Sequence, residues 1–365
     1  MTTVLTSKPH YEILDGLRGV AAIVVLAFHI FEAYTLDPYE KVVNHGYLAV
    51  DFFFVLSGFV IGYAYDDRWK KMNFGDFFKR RLVRLHPMVV MGMILGALLF
   101  YFGASPEFSL IADVPVWKLL LYMVLGMLLI PTPPSIDIRG WEEMYTLDAP
   151  CWSLFFEYIA NILYGLFIRK FSTKALAVLV FLAGCVTVHL TLSETGDVSG
   201  GWAFTGTQLR YGFTRLIYPF FAGLLLYRLG KLGHLKNAFL WCSMILLIVF
   251  LMPRIGDHAH YWMNGIYESA VIIIVFPLIV YLGASGEVKG KYTSKVCKFL
   301  GDMSYPVYIV NYPIIYIWVG WLSNHDHPSF ADSYWGAILV FVSVIALSYA
   351  LWKLYDVPVR RWLKR

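Results

Sequence analysis

Arg18 and His29 stand eleven positions apart in one apolar stretch, residues 13–34. Eleven residues at about 100° each return to within roughly 20° of the start, so a helix there carries both on one face, roughly 16 Å apart along its axis. An imidazole can take the proton of a weakly acidic alcohol as it attacks an acyl carbon. A guanidinium can hold an anion or polarise a developing oxyanion. Asp51, Glu157 and Arg215 sit in further apolar stretches, at 46–65, 151–168 and 211–229. Ionisable groups at such positions are costly and face a protein interior or a wet cavity. These residues therefore predict a polar track through an apolar body.

Long apolar helices must hold these groups. Hydrophobic residues make up 59% of the chain and charged residues 15%, with a mean hydropathy of +0.61, too apolar for an ordinary soluble domain. Candidate spans are 13–34, 46–65, 85–103, 151–168, 175–192, 211–229, 237–252, 264–283, 298–321 and 334–354. The expected fold is all-α and polytopic, one integral-membrane domain over residues 1–365 with about ten transmembrane helices and no appended soluble domain. The first run contains Asp15, Arg18 and His29 and no small-residue cleavage site follows it, so it does not read as a cleaved signal.

The formal charge of +5 comes from short basic connections and does not point to nucleic acid. Basic residues crowd the connection 66–84; Arg228, Lys231 and Lys236 mark a second group; Lys289, Lys291, Lys295 and Lys298 mark a third; Arg360, Arg361, Lys364 and Arg365 close the chain. The positive-inside rule places all four on the cytoplasmic side, with both termini inside. Segment 115–131, short and bounded by prolines, breaks the parity and reads as a re-entrant or interfacial helix near the outer face. In this topology Arg18 lies near the cytoplasmic end of its helix. His29, Asp51 and Glu157 reach one level toward the outer side from three helices. The four cysteines show no CxxC spacing and read as buried thiols, and the isolated pair His258 and His260 predicts no metal site.

Several segments together carry a resemblance. LDGLRGVAAIVVLAFH at 14–29 resembles the opening of the membrane-embedded acyltransferase family 3, with its arginine, ten intervening residues and histidine. GYLAVDFFFVLSGFVIG at 46–62 is similar to that family's second span, RRLVRLHP at 80–87 to its R-x-x-R element, and WSLFFE at 152–157 to its Trp-Ser-Leu-x-x-Glu. GDMSYPVYIVN at 301–311 and DVPVR at 356–360 match late segments more loosely, with Asn311 where a histidine is frequent and Asp356 where the pattern has glutamate. The order is kept from residue 14 to about 360. The resemblance implies an O-acyltransferase that takes an acyl group, often acetyl, from cytoplasmic acyl-CoA. The acceptor is a hydroxyl of a carbohydrate or glycolipid, and the setting is a bacterial inner membrane. It implies no tightly bound cofactor; acyl-CoA is a donor substrate.

Under that reading His29 is the general base. Glu157, or else Asp51, accepts from its other ring nitrogen; Asp51 is equally suited to pair with an arginine and position helices. Arg18 meets the thioester or pantetheine arm, or pairs with Asp15 one turn earlier. Arg81 and Arg84, three apart, suit the coenzyme A phosphates, although positive-inside bias alone also puts arginines there. Trp152, Ser153, Arg215 and Asn311 are acceptor-side candidates, with Arg215 alternatively steadying Glu157. Tyr305, Asn311 and Tyr312 are expected on a proline-broken helix. The rival is a carrier or flippase, for which ten helices and a polar track also suffice.

Overall fold

The computed structural model describes residues 8, 10–35, 37–193, 195–230, 233–288 and 290–365; Lys231 and Lys289 lie outside them. Each of the ten apolar runs is helical. The first helices are α1 (Glu12–Glu32), α2 (Ala49–Tyr65), α3 (Phe74–Tyr101), α4 (Val116–Met127), α5 (Cys151–Leu166) and α6 (Thr173–Ser193). They are followed by α7 (Gly206–Leu229), α8 (Ala238–Leu251), α9 (Trp262–Ala270), α10 (Phe276–Ser285), α11 (Lys291–Asn324), α12 (Phe330–Leu351) and α13 (Val357–Trp362). Among the described residues six helical stretches are long and apolar enough to cross a membrane: Glu12–Glu32, Gly46–Tyr65, Phe74–Tyr101, Thr173–Ser193, Trp262–Ser285 and Phe330–Trp362. Val178, Phe181, Trp335 and Leu339 on α6 and α12 lie exposed, a pattern that suits lipid rather than water. This is an integral membrane protein.

Three departures from the sequence expectation have physical causes. Helix α3 begins at Phe74, not 85, because Asn73 and Asp76 cap each other's backbone: Asp76 N donates to Asn73 Oδ1 (2.8 Å) and Asn73 N to Asp76 Oδ2 (3.3 Å). Arg80, Arg81 and Arg84 thus ride on a helix rather than in a connection. Helix α11 runs unbroken through Pro306 and Pro313, so Tyr305, Asn311 and Tyr312 ride on one continuous helix. Between α9 and α10 a π-helical turn, Val271–Val275, precedes Pro277. That proline cannot donate to Ile273 O, and the Tyr218 hydroxyl does so instead at 3.0 Å. Of the cysteines, Cys185 is exposed while Cys151, Cys242 and Cys297 are buried.

Packing centres on α1 against α11 and α2 against α7. The second pair depends on small residues: a Cβ on Gly58 would run into the Phe220 carbonyl oxygen, and one on Gly223 into the Val55 carbonyl oxygen. Backbone cannot retreat as a flexible side chain can. Gly58→Val should therefore push α2 from α7, destabilising the protein by about 1–3 kcal/mol or more. A thermal-unfolding midpoint in detergent equal to that of wild type would mean the two helices are not so close.

Candidate active site

A cavity of about 440 Å³ opens between α1, α2, α3, α5, α11 and the end of α13. Its mouth, at the start of α1 and the last residues before and in α13, carries acidic and basic groups together: His10, Glu12, Lys298, Asp302, Asp356 and Arg360. Asp15, Arg18 and Arg84 line the middle, and Ser57, Arg81 and Glu157 lie deeper. Phe53, Ser153 and Tyr308 stand at the end away from the mouth. Residues predicted from three distant segments, at 18, 81–84 and 153–157, thus share one cavity.

Each cation in this cavity has a distinct environment. Arg18 donates from Nε to Ser304 Oγ (2.8 Å) and from Nη2 to Gly301 O (3.1 Å), and lies 3.4 Å from Asp15 Oδ1. Its pairing with Asp15 one turn earlier is present, and α11 fixes its position as well. Arg81 is buried and donates to Glu157 Oε1 at 2.5 Å; Ser57 Oγ donates to the same oxygen at 2.8 Å. Arg84 makes no hydrogen bond or ion pair among the described residues, yet it lines the cavity. Its charged neighbours are Arg18, Arg81 and Asp15.

The expected partnership between His29 and Glu157 or Asp51 is not what the structure shows. Glu157 faces Arg81 and Ser57. Asp51, fully buried, is held by Arg215: Nη2 donates to Oδ2 at 2.7 Å, and Nε lies 3.3 Å and 3.2 Å from the two carboxylate oxygens. Arg215 also donates to Gly200 O (3.0 Å) and Tyr47 O (2.7 Å) and lies over the Trp152 ring at 5.0 Å, so it does not steady Glu157. Nor do His29, Asp51 and Glu157 share one level: Glu157 meets Ser57, six residues or about 9 Å along α2 from Asp51, because the tilt and rotation of each helix depend on neighbours the periodicity does not specify.

His29 has a partner on its own helix. Its Nδ1 lies 3.4 Å from Glu32 Oε2, and Lys41 Nζ holds the other carboxylate oxygen at 2.7 Å. The ring meets Tyr312 edge-on, centroids 4.7 Å apart, and its side chain keeps 17% of its accessible surface. His29 does not line the cavity. Tyr308, at the cavity's end, precedes Tyr312 by one turn of α11, about 6 Å of rise. Between them Ser153 Oγ and the Tyr308 hydroxyl are hydrogen-bonded at 2.8 Å. Asn311, fully buried, donates to Val307 O (2.9 Å) and Tyr308 O (2.6 Å), leaving its Oδ1 without a partner. Behind Tyr312, Tyr316 donates to Glu143 and packs under the Arg139 guanidinium at 3.4 Å. Burial pushes Glu143 up to about 8, against the hydrogen bond from Tyr316 and the nearby Arg139 charge.

Glu32, Lys41, Ser57, Tyr308 and the mouth residues Lys298, Asp302 and Arg360 were not among the sequence candidates. Glu32 was findable, since i,i+3 places it beside His29 on any helix. Tyr308 was not, because nothing in its local sequence sets it apart from a core tyrosine.

The cavity is lined by basic and acidic side chains in equal measure, and His29 lies outside it, against Tyr312 one turn of α11 beyond Tyr308. A family model described as "Acyltransferase domain", acyltransferase 3, matches residues 11–353. The chain belongs to the acyltransferase 3 family. It is 32% identical over 191 residues to "Protein 2 in picA locus" of Rhizobium radiobacter, covering 50% of this chain and 95% of that protein. It is 24% identical over 350 residues to the O-acetyltransferase OatA of Staphylococcus aureus, covering 92% of this chain and 53% of the relative. With the peptidoglycan O-acetyltransferase OatA of Listeria monocytogenes it shares 22% over 391 residues, covering 98% and 57%. The chain thus spans little more than half the length of the two OatA relatives. No solved structure matches it.

Proposed function

We propose that this protein moves an acyl group, acetyl by analogy with the OatA relatives, from acyl-CoA to a hydroxyl of a carbohydrate or glycolipid acceptor. The observation that carries this reading is Arg84, which makes no hydrogen bond or ion pair among the described residues and lines a cavity whose far end at Tyr308 is one turn of α11 from Tyr312, the ring that His29 meets. A pyrophosphate or phosphate of coenzyme A gives Arg84 the charge-assisted hydrogen bonds it lacks within the protein. The pantetheine arm then passes Arg18 toward Ser153 and Tyr308. Their contact parts when the donor is bound, bringing the thioester to His29.

In the chemical step the acceptor oxygen attacks the thioester carbonyl carbon while His29 takes its proton. The carbon–sulfur bond breaks, and the imidazolium returns the proton to the leaving thiolate. An ester and free coenzyme A result. Glu157 holds Arg81 in place beside the donor path. Asp51 and Arg215 tie α2 to α7, leaving Trp152, Ser153 and Asn311 nearest the acceptor. In this reading the chain has ten spans with both termini cytoplasmic and α4 as the re-entrant or interfacial element, and the mouth opens to the cytoplasmic side of the inner membrane. Family membership favours acyl transfer over solute passage.

Two measurements test the proposal. Envelope glycans from cells with and without the gene should differ by an acyl mass increment. Equal masses in both strains, with solute flux through reconstituted protein and no release of coenzyme A, would replace the enzyme with a carrier. Arg84→Met should weaken acetyl-CoA binding about 10- to 100-fold, the loss expected for one or two charged hydrogen bonds, with little change in thermal midpoint because Arg84 supports no other side chain. An unaltered dissociation constant removes Arg84 from the donor site.

A further inference from the structure

The contacts around His29 leave one question open: which ring nitrogen faces the acceptor, and what holds it there. Glu157 and Asp51 are engaged elsewhere, at Arg81 and Arg215. The groups that do surround the ring are few. From its own helix comes Glu32, 3.4 Å from Nδ1; from the loop after α1 comes Lys41, bound to Glu32 at 2.7 Å; from α11 comes the edge of Tyr312. Arg139 and Glu143 stand farther back, behind Tyr316, which packs on Tyr312 at 4.8 Å.

We propose that Glu32 is the positioning residue of His29, accepting from Nδ1–H and so leaving the Nε2 lone pair to take the acceptor's proton. This rests on the reading of His29 as general base and adds to it a residue and an atom assignment. A carboxylate on one ring nitrogen fixes the tautomer and steadies the imidazolium formed as the alcohol oxygen attacks. Lys41 anchors the far carboxylate oxygen, so Glu32 cannot swing away, and also tempers its charge. Both side chains are only partly covered, 35% exposed for Glu32 and 15% for Lys41. The pair therefore lies beside the same open side from which His29 is accessible, where an acceptor hydroxyl can enter.

The test uses the full-length protein in membrane vesicles, radiolabelled acetyl-CoA, and cell envelopes from a strain lacking the gene. Glu32→Gln should lower kcat about 10- to 100-fold with the KM for acetyl-CoA unchanged, and Glu32→Asp should restore part of that loss. Without the carboxylate the imidazolium is less favoured, so the acidic limb of the rate profile should move to lower pH. Lys41→Met frees the full carboxylate charge and should move the limb to higher pH. Opposite displacements cannot come from a merely structural pair. Wild-type rate and profile in Glu32→Gln, alongside inactive His29→Ala, would overturn the role of Glu32 alone. Active His29→Ala would overturn the base assignment beneath it. Should Glu32→Gln not accumulate, the Lys41→Met profile decides: an unmoved limb counts against the proposal.

Discussion

His29→Ala should lower acyl transfer about 10²–10⁴-fold, the usual contribution of a positioned general base. The loss should fall on kcat with acetyl-CoA affinity unchanged, because the cavity proposed for the donor does not include this ring. Stability should barely change: the side chain is partly exposed, its one polar contact is long, and its aromatic contact is with the edge of Tyr312. The measurement is label transfer from acetyl-CoA to envelope material, run beside a thermal-unfolding curve of the same preparation. A variant within tenfold of wild type would show that the proton goes elsewhere. The carboxylate of Glu157, in the cavity itself, would then be the group to examine.

Much of this arrangement was legible from residue order. Apolar runs located the helices to within a few residues where lipid-length stretches are uninterrupted, as at α1, α6 and α8. Start signals at α3 were weaker than the charge pattern suggested: the arginines read as a connection because they are basic, although Arg and Lys are good helix formers and Asn73 supplies a cap. Within the site, one cavity gathers Arg18, Arg84, Ser153 and Glu157, although the sequence placed the two arginines toward the cytoplasmic end and Glu157 level with His29. The side chain facing each group was another matter. Whether Glu157 meets His29 or Arg81 depends on helix rotation, set here by close backbone contacts and by interhelical polar pairs distant in sequence. His29 and Glu32, three residues apart, needed no tertiary information; Glu157 and Arg81, 76 residues apart, needed all of it.

That distinction also separates the groups that hold the bundle from those that work in it. Under the proposed function Arg84 and His29, with few bonds to the protein, are the groups that change partners during turnover. Asp51 and Arg215 have neither freedom. Their bond count matches what a buried charge requires to be tolerated at membrane depth.

Arg215→Met should therefore be the most damaging single change for stability, about 3–5 kcal/mol. It strands the Asp51 carboxylate, fully buried, and orphans the carbonyls of Gly200 and Tyr47. The loop before α7, the start of α2 and α7 itself would lose their common tie. Asp51→Asn in the same chain removes the stranded charge and should recover part of the loss, while the two carbonyls remain without donors, so the double variant stays below wild type. Thermal midpoints of the two single variants and the double variant in detergent give the coupling directly. Additive losses would mean that the two side chains do not interact in the folded protein. Folded double variant with wild-type acetyl-CoA affinity but no transfer would instead move the pair from holding helices to holding acceptor. Unimpaired transfer per folded molecule leaves them as the strut that keeps α2 against α7, the helix pair whose glycine contacts leave no slack.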